Sequence, residues 1–257
     1  MKRQPARIVS IFIFFVTAGS IFAQDNWPQW RGPDQNGVST GKNLPTNWNE
    51  TENIVWKTKM PAWSGSTPII WGDRIFVTSP SKADPNWQPP APPQGRRGRR
   101  SRFGQARNPG GQKLFVICLS KKDGKMLWQH ELDEGNRLHR KQNNSSPSPV
   151  TDGNTIWVVT GTGQVTALDM DGKQVWQRNL QKDYGDFGLN WGYASSPLLY
   201  NGLLIIEVLH GMKTDDPSYV VAFDAKSGKV IWGPERTAQG IVSASPVLAR
   251  RQNLHRQ

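Results

Sequence analysis

The chain has 257 residues, among them 25 Gly, 19 Pro, 12 Trp and a single Cys, with a formal charge of +12. One Cys excludes an internal disulfide framework and a Cys-clustered zinc site. High Gly, Pro and Trp content without a long 3.6-residue periodicity argues against an all-α protein. The charge resides in residues 2–7, 82–112 and 250–256, and the remainder is balanced, so the basic pI is poor support for a nucleic-acid-binding fold.

The N-terminus reads as an export signal. Residues 1–7 are basic, 8–22 are apolar, and Ala23 precedes a candidate cleavage site before Gln24. This order predicts a secretory signal peptide over residues 1–23. The uncharged run is short for a membrane span, and the mature region has no stretch apolar enough to make one. No Cys follows to carry a lipid anchor. The expected location is therefore the periplasm or cell envelope.

The body, residues 24–248, repeats. Gly124, Gly172 and Gly228 are each followed by Lys and, four residues on, by Trp128, Trp176 and Trp232. A second marker, Ser or Thr before Pro, recurs at Pro68, Pro149, Pro197 and Pro246. The Gly spacings are 48 and 56 residues, the range of repeat architectures. Taken in order, the first unit (66–132) offers strands at 74–78, 113–119 and 125–132. The second (148–180) offers 149–151, 155–160, 164–169 and 173–180, with Asp171-Gly172 as a hairpin turn. The third (195–235) offers 203–208, 219–224 and 229–232. Four short strands per unit, repeated radially, predict propeller blades.

Between strands two and three of the first unit lies residues 82–112, Pro-rich and then Arg-rich through Arg96, Arg97, Arg99, Arg100 and Arg102. This composition cannot bury a core and predicts a disordered insert. Lone Cys118 sits in an apolar run, where a buried and inert thiol is expected.

The pattern Ala-x-Asp-x-x-Ser/Thr-Gly-Lys-x-x-Trp, complete from Ala222 to Trp232, resembles the repeat of quinoprotein-like (PQQ repeat) β-propellers. The opening Trp27-Pro28-Gln29-Trp30 resembles the start of exported proteins of this type from planctomycete-like bacteria. The resemblance implies an all-β propeller of four-stranded blades. Three full blades are present, with fragments of a ring of seven or eight. It assigns Trp56, Trp128, Trp176 and Trp232 to docking between blades, over turns at Gly124, Gly172 and Gly228. Residues 53–59 match the last strand of a blade, so Trp56 is expected on a C-terminal blade. The segment 249–257 lacks the turn and strand a further unit would need, and reads as a tail outside the family at a truncated or frame-shifted end.

No catalytic, cofactor-binding or metal residue is assigned. Asp169 and Asp224 precede tight turns, where side-chain hydrogen bonding to the turn explains them. One Cys excludes the adjacent cysteines that many enzymes resembling this family carry, and PQQ is not supported beyond the repeat. The loop 183–193 and its counterpart before the second unit supply the ligand-face candidates Asp186, Asn190, Trp191, Tyr193 and Asn143. The reading is an exported, non-catalytic binding or scaffold module, resembling outer-membrane assembly propellers, with an envelope protein or small ligand as partner. The alternatives are a quinone (PQQ)-dependent oxidoreductase and attachment to an anionic polymer through Arg96 to Arg102.

Overall fold

β-Branched and aromatic runs punctuated by Gly turns fold into three four-stranded antiparallel sheets. The computed structural model describes residues 26–42, 44–88, 108–139, 142–189, 191–210, 214, 216–233 and 246. The expected signal peptide (1–23), the arginine cluster, Asn190 and the tail 249–257 lie outside the described residues.

The first sheet comprises β1 (Ile69–Trp71), β2 (Arg74–Pro80), β3 (Lys113–Ser120) and β4 (Met126–Glu134), in that spatial order. The second comprises β5 (Val150–Thr151), β6 (Thr155–Val159), β7 (Gln164–Asp169) and β8 (Gln174–Asn179). A short helix follows, α1 (Leu180–Tyr184), capped by the Asn179 side chain. The third sheet comprises β9 (Leu198–Tyr200), β10 (Leu203–Val208), β11 (Tyr219–Asp224) and β12 (Val230–Trp232). Strands β1, β5 and β9 lie side by side at the inner edge. The described residues form a partial β-propeller with one short helix.

The sheets pack face to face. Phe76, Val116 and Cys118 of the first sheet meet Ile156, Val158 and Leu168 of the second. Trp157, Val159 and Val165 of the second meet Leu204, Ile206 and Phe223 of the third. Cys118 is a buried free thiol, pushed up to about 11 by burial. Its small side chain stands opposite Trp128 across the ladder, as Ala167 stands opposite Trp176 and Ala222 opposite Trp232. The repeat thus requires a small residue there, and Cys meets that need.

Three expectations are corrected. Residues 53–59 form no ladder but run as irregular backbone. The strand expected to extend through residue 180 ends at Asn179, because its amide oxygen accepts from the Gln181 and Lys182 N–H groups and starts α1. Residues 108–112, read as part of the insert, are packed: Gly111 N–H donates to Ser81 O at 2.8 Å, and the Trp63 indole donates to Asn108 O at 2.9 Å.

Candidate functional site

The antiparallel order gives each sheet two ends. One carries the Gly turns. At the other, β2 connects to β3, β10 to β11, and each sheet to the next. The two ends do different things.

At the turn end, the repeat residues tie unit to unit. The Trp128 indole N–H donates to Met170 O at 3.1 Å, and that of Trp176 to Ala225 O at 2.9 Å. Each ring lies on the Gly of the next sheet. A Cβ on Gly172 would stand 2.8 Å from the Trp128 ring, and one on Gly228 would stand 2.8 Å from Trp176. Trp56 does the same one unit earlier, donating to Lys121 O at 2.9 Å and lying on Gly124. The expectation that Trp56 reaches a C-terminal blade is therefore corrected: its ring covers the first sheet's own turn. Trp232, on outer strand β12, is 44% exposed. At the inner edge, Thr67 N–H donates to Ser148 Oγ at 2.9 Å, and Ser148 N–H to Ser196 Oγ at 3.0 Å. The Ser-Pro marker is thus a chain of hydrogen bonds from one unit to the next.

The Asp residues of the repeat close turns. Asp169 Oδ1 accepts from Asp171 N–H and Lys173 N–H, both at 2.9 Å. Asp224 Oδ1 accepts from the Ser227 N–H at 2.8 Å and from its hydroxyl at 2.6 Å, which holds the carboxyl below its ordinary range.

The loop end is polar and irregular. Asn143 is fully buried and belongs to the framework: its amide donates to Trp63 O at 2.9 Å and Pro109 O at 3.1 Å, and its oxygen accepts from Ser145 Oγ at 2.8 Å. Asn136, unremarked in the sequence, donates to Pro109 O and Gly111 O. Asn144 links Gly135 O to Gly161 N–H. Gly135-Asn136 and the pair Asn143-Asn144 were the available signal for this buried network.

Beside it a cavity of about 150 Å³ opens between residues 135–144 and 181–193. Arg137, His139, Asn144 and Thr162 line one side, and Phe187 and Tyr193 the other. The two walls are joined where Gln142 Nε2 donates to Trp191 O and Gly192 O, each at 2.8 Å. Gly192, at φ 80°, lets the His139 ring approach, since a Cβ there would stand 2.4 Å from it. Tyr193 is buried, stacks on Phe187 at 4.9 Å and donates to Glu207 O at 3.1 Å. Of the loop candidates, Tyr193 lines the cavity, Trp191 contributes a carbonyl to its frame, and Asp186 is exposed away from the lining.

Residues 113–254 match the family described as outer membrane protein assembly factor BamB, PQQ_2. No curated protein matches the chain. Among solved structures it is similar to quinohemoprotein alcohol dehydrogenase ADHIIG from Pseudomonas putida HK5, at 17% identity over 83% of this chain and 27% of that one, TM-score 0.49. It is similar to quinohemoprotein alcohol dehydrogenase from Comamonas testosteroni, at 14% identity over 81% and 27%, TM-score 0.48. It is also similar to BamB from Moraxella catarrhalis, at 14% identity over 71% and 55%, TM-score 0.36. The chain spans between about a quarter and just over half the length of these structures.

Proposed function

The chain belongs to the family described as outer membrane protein assembly factor BamB, and from that membership we propose that it is an exported, non-catalytic binding and scaffold module of the cell envelope. Its working surface is the loop end. The observation that supports this is the division of labour along each sheet. Trp, Gly, Asp and Ser of the repeat are committed to joining and turning units. The chemically varied side chains gather at the opposite end, around the cavity framed by Gln142 and Gly192. A rigid ladder of sheets presenting irregular loops is the arrangement that suits partner recognition.

A quinone cofactor held through a cation is a poor fit to the described residues. No three His, Cys, Asp or Glu side chains converge among them, and Asp169 and Asp224 already accept turn hydrogen bonds. Among the described residues no helix is long and apolar enough to cross a membrane.

The test is direct. The purified chain is titrated with pyrroloquinoline quinone and calcium, while the quinone absorbance and dye-linked oxidation of alcohols and sugars are followed. No saturable spectral change and no dye reduction are expected. A saturable shift with dye reduction would replace this reading with a quinone-dependent oxidoreductase.

A further inference from the structure

The third sheet carries a buried titratable group that neither docking nor the cavity lining uses. His210 follows β10 and is 3% exposed. Its Nδ1 accepts from the Gly188 N–H at 3.2 Å. An acceptor nitrogen carries no proton, so the neutral ring bears its proton on Nε2. That Nε2 is buried without a hydrogen-bond partner. The ring is enclosed by Phe187 at 6.3 Å and Tyr219 at 5.8 Å. The backbone of His210 is held separately, its N–H donating to Ser218 Oγ at 2.8 Å.

We propose that His210 is a protonation-controlled latch: as a neutral imidazole it holds residues 185–189 down on the third sheet through the Gly188 N–H, and on protonation it releases that segment, whose Phe187 and Leu189 wall the cavity. This rests on the reading of the loop end as the working surface.

Protonation at Nδ1 sets an N–H against the Gly188 N–H, and among the described residues no acceptor faces the second N–H at Nε2. A buried imidazolium whose N–H groups lack acceptors is strongly disfavoured. The surroundings offer little compensation. From β10, Glu207 is itself pushed toward its neutral form by burial. From α1, Asp183 is paired with Arg178 at 2.8 Å, and the Tyr184 phenol is pushed up by burial. From β11, the Tyr219 phenol is pushed up too. Asp216, from the β10–β11 connection, favours the proton, but desolvation outweighs it and His210 lies below its ordinary value. Opening the segment relieves the conflict by giving the ring water. Gly188 sits flush, since a Cβ there would stand 2.2 Å from Thr214 Cγ2. The flanking ties, Phe187 N–H to Gln181 Oε1 at 2.7 Å and Gln142 to Trp191 O, do not titrate in this range.

The experiment uses the whole chain without ligand, from about pH 8 to about pH 5. Long-range nitrogen NMR follows the imidazole, and hydrogen exchange follows the Gly188 amide, corrected for its intrinsic pH dependence. The expected midpoint for His210 is below 6.5. Gly188 protection should fall about tenfold per pH unit between the ordinary value and that midpoint, while Val221 in β11 keeps its protection. His210→Asn places an amide oxygen where Nδ1 accepts and does not titrate, so its Gly188 profile should be flat. A His210 midpoint at or above 6.5, or Gly188 protection unchanged while His210 titrates, would overturn the latch. If the variant fails to fold, coincidence of the two wild-type titrations still decides. No ligand enters the measurement, so its failure is distinct from failure to bind at the loop end.

Discussion

Trp176 and Gly228 form a staple between the second and third sheets. The indole lies on a glycine whose φ is 67°, and its N–H donates to Ala225 O at 2.9 Å three residues upstream. The left-handed backbone and the absent side chain are one requirement, because the turn that brings the carbonyl into reach also brings Cα against the ring. Gly228→Ala should therefore destabilise by about 1–3 kcal/mol from backbone strain, with overpacking in addition. Trp176→Ala should cost about 3–5 kcal/mol, and Trp176→Phe about 1 kcal/mol more than its lost area, for the missing hydrogen bond. Denaturant unfolding measures all three. A loss below about 1 kcal/mol for Trp176→Ala would show that the staple does not hold the sheets.

At the inner edge, Ser196 Oγ accepts from the buried Ser148 N–H. Ser196→Ala leaves that donor without its partner and should destabilise by about 1–3 kcal/mol. Ser196→Thr keeps the hydroxyl and should recover most of the loss. Equal stability of Ser196→Ala and wild type in urea would contradict the inter-unit role.

Cys118 should be chemically silent in the native state. It is buried between sheets, and its thiol is pushed up to about 11 by desolvation. Alkylation at pH 8 should track unfolding, with full reaction in denaturant and almost none without. Rapid native labelling would mean that the interface between the first and second sheets opens.

Two groups give the stability a pH dependence of known sign. Asp224 is held low by the hydrogen bonds from Ser227, so its contribution is present above the ordinary carboxylate value and is lost as pH falls through the lowered one. His210 is pushed down by burial. The unfolded chain takes up its proton first, so stability falls as pH drops below about 6.5 and levels once the folded imidazole is also protonated. Thermal melts should show the histidine step in wild type and not in His210→Asn. A step that survives the substitution would assign it elsewhere.

The units were legible in the sequence because their markers are local and physical. A turn glycine, a Trp four residues on and a Ser or Thr before Pro each occupy a position that only a few residue types satisfy. What the chain did not disclose was direction. Trp56 lies on Gly124, the first turn of the Gly-Lys-x-x-Trp repeat that follows it, and the rule that each Trp reaches forward by one unit appears only when Trp128 on Gly172 and Trp176 on Gly228 are seen together. The loop end was harder to read. Asn143 looked like a ligand-facing residue because buried and exposed asparagines share one composition signal, yet its amide binds Trp63 O and Pro109 O. His210 gave no sequence signal, since its role depends on a backbone N–H 22 residues away in the chain.

On the proposed function, the loop end, not the outer strands, meets the partner. The decisive measurement is site-specific photo-crosslinking in intact envelopes, with the reactive group placed at Arg137 or Trp191 and, for comparison, at the exposed Gln129 of β4 and Gln177 of β8. Discrete adducts at Arg137 and Trp191, absent at Gln129 and Gln177, are the expected result. Adducts at the outer-strand positions with none at the loop end would contradict the account.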